Sequence, residues 1–470
     1  MTPHHRRSLA VGLTVAVTLA GTTACAATNA TLATDTAQQV DTSDPSALWD
    51  QSAVHSISLT YDQGDYDDLI ATYLDTGEKV WITATAVIDG VSYEEVGLKL
   101  KGNSTLRGLS TDADAAVSAA HPEDLPWIID LDRDVDGQNA DGTSELVLRG
   151  NGSQTALNEA VALDLLAATG LAAEEAIAAR VEVNGETSLR LVVENPDDPF
   201  LEREFEQGTA LYKAESGGDY SYRGDDPAAY ADVFDQEAGE DDLTPLIDFL
   251  RFINESDDAT FEAELSSWLD VDAFATYLAF QELVDNFDDI DGPGNNSYLA
   301  YDAGTGLMTV VSWDLNLAFG ASPGGAGGAG GGMPGAGDLP DAGAGMPGGG
   351  GFGGDGQPPS RGEPADDADP GAGVEQGGMP GEGMAGGGGQ GGGAPGGGGN
   401  ILSERFLASD EFAALYEAEL DRLTEVLYGS GLAEDALDAW VQTLEAGASD
   451  LVSASVIESE ADALSGSFPE

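Results

Sequence analysis

The sequence predicts an α+β fold, strand-rich in its N-terminal half and helical in its C-terminal half, and three observations carry that expectation. Alternating apolar runs flank Asp89-Gly90 and again Asn184-Gly185, the dipeptides a two-residue hairpin favours because both central positions take positive φ. From Leu243 to Val284 the apolar residues recur at helical spacing, with Phe249, Phe252, Trp268, Phe274, Tyr277 and Phe280 as core candidates. After residue 400 only helical periodicity remains. Between these regions lies 321–400, mostly Gly with Pro, Ala and Asp, a composition too poor in apolar surface to offset chain ordering. Roughly 370 residues are then left for one large domain or two smaller ones.

Charge narrows the partners. With 85 acidic against 17 basic residues, a net of −68, the chain repels nucleic acid and anionic membrane surfaces. Its N-terminus reads as an address. His4, His5, Arg6 and Arg7 precede an apolar run from Leu9 to Ala20, too short to span a bilayer, and then Cys25, the sole cysteine. Residues 1–25 are therefore expected to be a signal peptide. Thr22-Thr23-Ala24-Cys25 resembles a lipoprotein processing site, which makes Cys25 the lipidation candidate and a lipid anchor the one membrane contact. Ordinary cleavage near Ala24 to Ala27 is the alternative. Residues 26–50, rich in Ala, Thr, Ser and Asp, read as a tether to the cell surface.

The folded part is expected over 51–320, with helices from 401–470 packing back on it. His55 to Thr60 alternates like a strand and Tyr66 to Tyr73 reads as a short helix. Val80 to Ile88 and Val91 to Lys101 form the first hairpin, which ends in Lys101-Gly-Asn103-Ser104. Trp127 to Leu131 and Glu145 to Leu148 are strands, the second running into the turn Arg149 to Gln154. A helix follows over Thr155 to Thr169, stopped by Gly170. Arg180 to Val183 and Ser188 to Val193 make the second hairpin, followed by a short helix in PFLEREF and a strand ending at Lys213. Ser297 to Tyr301 and Leu307 to Trp313 are strands, and Ser403 to Leu427 reads as one amphipathic helix before two more at 432–447 and 450–464.

Chemistry concentrates in few places. The chain holds only four lysines, Lys79, Lys99, Lys101 and Lys213, and two of them share one face of a strand that enters a turn of glycine, amide and hydroxyl groups. Such a turn suits an anion, cradled by backbone N–H groups at Asn103 and Ser104 and neutralised by lysine. Ion pairs of Lys99 and Lys101 with Glu94 or Glu95 are the alternative. Downstream, Asp285 to Asp314 offers an acidic loop followed by a strand that ends in Asp314. Asp291 precedes Asn296 by the spacing protein kinases use for a catalytic carboxylate and a metal-holding amide. Asp132, Asp134, Asp136 and Gly137 match the first half of a calcium loop, but Thr143 stands where the bidentate carboxylate belongs, and an acidic turn is the plainer reading.

Taken in order, LKLKGNSTLRG, LRGNGSQTALNEAVALDLLAATG, RVEVNGETSLRLVVEN, FLEREF, LYKAE, the DNFDD…GPGNNSYLAYD loop and VVSWDLNLAFG resemble the spore coat protein H (CotH) kinase family over residues 55–320 and again over 401–428. The resemblance implies an atypical two-lobed kinase-like fold, ATP with Mg²⁺ or Mn²⁺, and phosphorylation of Ser or Thr on exported or spore-surface proteins. By position it makes Asp291 the catalytic base, with Asp288 and Asp285 as alternatives, and Asn296 and Asp314 the metal ligands. It gives Lys101 or Lys213 to the phosphates, Glu159 to the orientation of a lysine and Glu194 to the neighbourhood of the adenine. Two departures stand out. Asn316 replaces the second carboxylate of a Trp-Asp-x-Asp motif, and Leu125 to Ile129 lacks a lysine that the family carries. A degenerate nucleotide-binding protein, or an adhesive surface protein on the same scaffold, is the competing expectation.

Overall fold

Hairpin turns set the first half of the chain in the computed structural model, which describes residues 47–102, 105–216, 218–321 and 399–469. Residues 1–46, where the leader with Cys25 and the tether are expected, Asn103, Ser104 and residues 322–398 lie outside the described residues. Strand β1 (His55–Tyr61) leads into helix α1 (Gln63–Thr76), which Asp62 caps by accepting the Gly64 amide at 2.8 Å. Strands β2 (Ile82–Ile88) and β3 (Val91–Leu100) turn at Asp89 and Gly90, both at positive φ as the sequence requires. A bulge around Glu94 and Glu95 puts one extra residue into β3, between the pairs Ala86↔Tyr93 and Ala84↔Val96. That insertion sets the alternation beyond it: Leu98 and Leu100 face inward, while Lys99 and Lys101 face out.

Strands β4 (Trp127–Asp130) and β5 (Glu145–Leu148) follow, then helix α2 (Leu157–Thr169) and the hairpin of β6 (Ala176–Val183) and β7 (Glu186–Glu194). These seven strands close a barrel in the order β1-β2-β3-β4-β5-β7-β6, because β6 returns parallel to β1 with Leu59 opposite Val183. The interior is filled by residues such as Ile57, Leu98, Trp127, Ile129, Leu146 and Val181, all essentially without exposure. The Asp132 carboxylate closes its turn by accepting the Gly137 amide at 2.5 Å. Among the described residues no three His, Cys, Asp or Glu side chains are grouped to cage a metal ion, and no helix is long and apolar enough to cross a membrane.

The rest combines helices with a second sheet. Helix α3 (Asp198–Glu204) precedes β8 (Thr209–Ala214), β9 (Phe234–Ala238), α4 (Thr244–Glu255), α5 (Asp258–Glu264) and α6 (Val271–Leu283). Strands β10 (Ser297–Asp302) and β11 (Leu307–Ser312) complete a four-stranded sheet of order β11-β10-β8-β9. The molecule is thus mixed α/β, strand-rich early and helical late.

The expected single helix over Ser403 to Leu427 is two helices and a bulge. Helix α7 (Ile401–Ala408) and α8 (Asp410–Leu423) break at Ser409, whose backbone is extended (φ −82°, ψ 127°), and a π-turn spans Thr424–Gly429. The break lets Phe406 pack edge-on against Phe274 at 4.9 Å and leaves Leu407 exposed, not in the core. Helices α9 (Leu432–Gly447) and α10 (Ala454–Ser465) lie on α2, whose apolar residues are buried on nearly every side.

Candidate functional site

Lys101 stands where β3 ends, facing the residues that follow β7 and β11. Its Nζ donates to Asn195 Oδ1 at 2.7 Å and lies 5.1 Å from the centre of the Trp313 ring. Asn195 in turn donates to Glu145 Oε2 at 2.6 Å. Burial pushes the Lys101 ammonium down to about 7, with the Lys213 charge adding to the effect and Glu145 and Glu237 opposing it. Lys79 and Lys99 are depressed too, by burial first, and both also feel Lys213. All four lysines of a chain with net charge −68 therefore gather in one neighbourhood. Neither Lys99 nor Lys101 is held by Glu94 or Glu95: Lys99 sits 4.3 Å over the Trp81 ring, and Glu94 bonds Thr85 and Ser92 instead.

Beside Lys101 runs a charged relay that sequence reasoning missed. Arg149, just past β5, donates from Nε to Glu159 Oε2 at 3.0 Å and holds Glu159 Oε1 at 2.8 Å from its NH2 group. The same NH2 group pairs with Asp314. Glu159 is the third residue of α2 and only 4% exposed, so its partner is fixed by burial as well as by charge. The expectation that Glu159 orients a lysine is corrected: its partner is Arg149. Asp314 follows β11 in a left-handed conformation (φ 59°), and the neighbouring Trp313 meets Tyr298 edge-on at 5.5 Å. Asn316 is held at its backbone, where its carbonyl accepts from Asn158 Nδ2 at 2.7 Å.

The acidic loop approaches the same sheet end. Ser297 and Ser312 are the last pair of the β10–β11 ladder, so Asn296 and Trp313 are the next residues out and Asp314 lies at the same end. Asp288 accepts the Gly294 amide at 2.5 Å and, through its carbonyl, Asn296 Nδ2 at 2.9 Å. A Cβ on Gly294 would lie 2.6 Å from Asp288 Oδ2, so a larger residue there displaces the Asp288 carboxylate. A buried chain of amides ties the loop to the strand: Asn286 donates to Gln281 at 2.9 Å, and Gln281 to Ser312 Oγ at 2.9 Å. Asn295 Nδ2 reaches the Glu215 carbonyl at 3.3 Å, which anchors the loop's other side next to β8.

The three base candidates part company here. Asp291 accepts the Asn400 amide at 2.7 Å and so holds the first turn of α7. Asp285 adopts φ 46° and, with Asp289 and Asp291, lines a pocket of about 250 Å³ whose rim includes Phe287 and Leu407. Asp288 alone of the three is bonded to Asn296. Burial raises its carboxyl above the usual range, against the pull of the Gly294 amide and Asn296.

Glu194 and Lys213 have protein partners of their own. Glu194 is 1% exposed and its carboxylate takes Arg203 at 2.5 Å and the Glu175 amide at 3.3 Å, which leaves the neighbouring Asn195 to face Lys101. Lys213 lies 3.5 Å from Glu237 and opposite Tyr298 in the β8–β10 ladder. As donors, Asn296 and Asp314 suit a hard divalent cation that keeps most of its shell from phosphates and water. Asn296 uses its Nδ2 on Asp288, which leaves Oδ1 as the ligating atom.

Comparison with known proteins agrees with the segments named above. The family model of the CotH kinase protein matches residues 98–453. Inner spore coat protein H of Bacillus subtilis (strain 168) is 26% identical over 168 residues, which is 34% of this chain and 45% of that protein. The chain thus spans less than half the length of this curated relative.

Proposed function

The chain belongs to the CotH kinase protein family, and on that premise we propose that it is an exported, two-lobed atypical kinase that phosphorylates Ser or Thr on surface or exported proteins with ATP. The observation that carries the reading is the gathering of the four lysines in a chain of 85 acidic residues, with Lys101 5.1 Å from the Trp313 ring and Arg149 paired with the adjoining Asp314. A polyphosphate is the ligand such a concentration of positive charge selects. Export follows from the basic and apolar N-terminal run, and Cys25 would carry the lipid anchor.

Each residue then has a task. Lys101 and Lys213 neutralise phosphate oxygens, and Trp313 excludes water beside Lys101. Asn296 and Asp314 would hold Mg²⁺ or Mn²⁺, which supplies charge neutralisation at the phosphates when bound. Asp288 accepts the proton of the substrate hydroxyl as that oxygen bonds to the γ-phosphorus. The bond from the γ-phosphorus to its bridging oxygen breaks, and ADP leaves. Arg149 fixes Asp314 against Glu159 throughout.

The test is self-labelling of the whole protein with γ-labelled ATP and Mg²⁺. Asp314→Ala is expected to lower labelling at least a hundredfold, and a chelator to do the same. Equal labelling of the two proteins overturns the reading. A second reading, a nucleotide-binding protein without transfer, is favoured by Asn316, which brings no charge where a carboxylate would strengthen the metal site. It predicts tight ATP binding in the wild type with no labelling.

The pH dependence of ATP binding checks Lys101 separately. Its ammonium is lost as pH rises through about 7, so ATP affinity falls with pH. Between pH 7.5 and 9 the decline approaches roughly tenfold per unit. Lys101→Arg, which stays charged, is expected to flatten the profile in calorimetric titrations.

A further inference from the structure

Helix α2 lacks a cap of its own. Its N-terminal flanking residue is Ala156, held at φ 54°, whose side chain caps nothing, and the Leu157 amide reaches Thr155 Oγ1 at 3.4 Å. The turn just ahead of it is held from the far end of the chain. Glu460, on α10, accepts the Gln154 amide at 3.0 Å, the Thr155 amide at 3.0 Å and the Thr155 hydroxyl at 2.5 Å. A carboxylate at this place satisfies the two turn amides and lies near the positive end of the helix.

What that clamp holds is the site. The turn it grips runs from Arg149 to α2, and the first turn of α2 bears Asn158 and Glu159. Asn158 fixes the Asn316 carbonyl at 2.7 Å, and Glu159 fixes Arg149, which pairs with Asp314. Past the end of α10, Phe468 packs 5.4 Å from Phe319, five residues after Asp314. Glu460 lies beyond residue 453, where the family match ends. Ile457 and Leu464 bury α10 in the core shared with α2, so the carboxylate is delivered on a rigid element.

We infer that Glu460 is a positioning residue for the strand end that carries Asp314, acting through the Gln154–Thr155 turn and α2 without touching substrate. This rests on the kinase reading only for its effect on turnover. The effect on position is read without ATP.

Amide hydrogen exchange of the full chain decides it, comparing wild type, Glu460→Gln and Glu460→Asp. Glutamine offers one acceptor oxygen where the carboxylate offers two, and aspartate keeps both on a shorter stem. In Glu460→Gln, exchange is expected to rise about tenfold over 153–159 and by a similar factor over 313–318, with β6 and β7 unchanged. Glu460→Asp recovers part of the protection. With activity present, KM for Mg-ATP rises about fivefold while kcat changes less than twofold. Faster exchange over 153–159 with 313–318 unchanged means the clamp is local, and overturns the inference. So does wild-type exchange in both segments. Absence of labelling in the wild type would instead count against the kinase reading, and the exchange result would still decide the role of Glu460.

Discussion

Asp288→Asn is expected to lower phosphoryl transfer at least a hundredfold while ATP binding stays within about threefold, since a positioned general base contributes two to four orders of magnitude. The loop survives the change, because an asparagine Oδ1 can still accept the Gly294 amide that Asp288 takes at 2.5 Å. Only the proton acceptor is lost. Asp291→Asn should behave otherwise. Its carboxylate holds the Asn400 amide at 2.7 Å at the start of α7, a bond an asparagine Oδ1 also makes, so the variant stays within about 1 kcal/mol of wild-type stability and keeps its rate within about threefold. Single-turnover labelling and denaturant unfolding of both variants separate the two roles. A rate collapse in Asp291→Asn with Asp288→Asn near normal would return the base to Asp291.

That reassignment illustrates what the sequence can and cannot tell. Hairpins at Asp89-Gly90 and Asn184-Gly185 were legible because a tight turn is a local constraint on φ, met by adjacent residues. Closure of the barrel was not, because pairing β1 with β6 depends on strands more than a hundred residues apart. The loop's acidic composition was plain, yet spacing alone favoured Asp291, whereas the backbone path gives that carboxylate to α7 and Asp288 to Asn296. Glu194 and Asn195 differ by a single place. Strand alternation turns one to Arg203 and the other to Lys101, and a one-residue error in register exchanges them. Ser409-Asp410-Glu411 does carry a helix-start signal, but the apolar periodicity continuing through it masked the break. Arg149 had a weaker signal still. It is one of only 17 basic residues and opens a Gly-Asn-Gly turn, but its Asp314 partner lies 165 residues away.

Arg149→Met should therefore be the most damaging substitution to the fold and the site together. It removes the one guanidinium between Glu159 and Asp314 and leaves Glu159, 4% exposed, without its counter-charge. Breaking one side of a buried pair costs about 3–5 kcal/mol, far more than the pair contributes net, because the remaining charge cannot recover its water. Activity falls with it, since Asp314 is no longer held. Arg149→Lys keeps the charge but not the fork: one ammonium cannot span both oxygens of Glu159 and also reach Asp314, so we expect an intermediate loss of stability and a large loss of rate. The double variant Arg149→Met, Glu159→Met separates the two effects. With both charges gone the buried region is apolar again, and most of the stability should return in urea unfolding, while phosphoryl transfer stays lost because nothing fixes Asp314. Recovery of activity along with stability would show that the relay serves the fold alone, and that the strand end carrying Asp314 is held well enough by Asn158 and the packing of Trp313 on Tyr298.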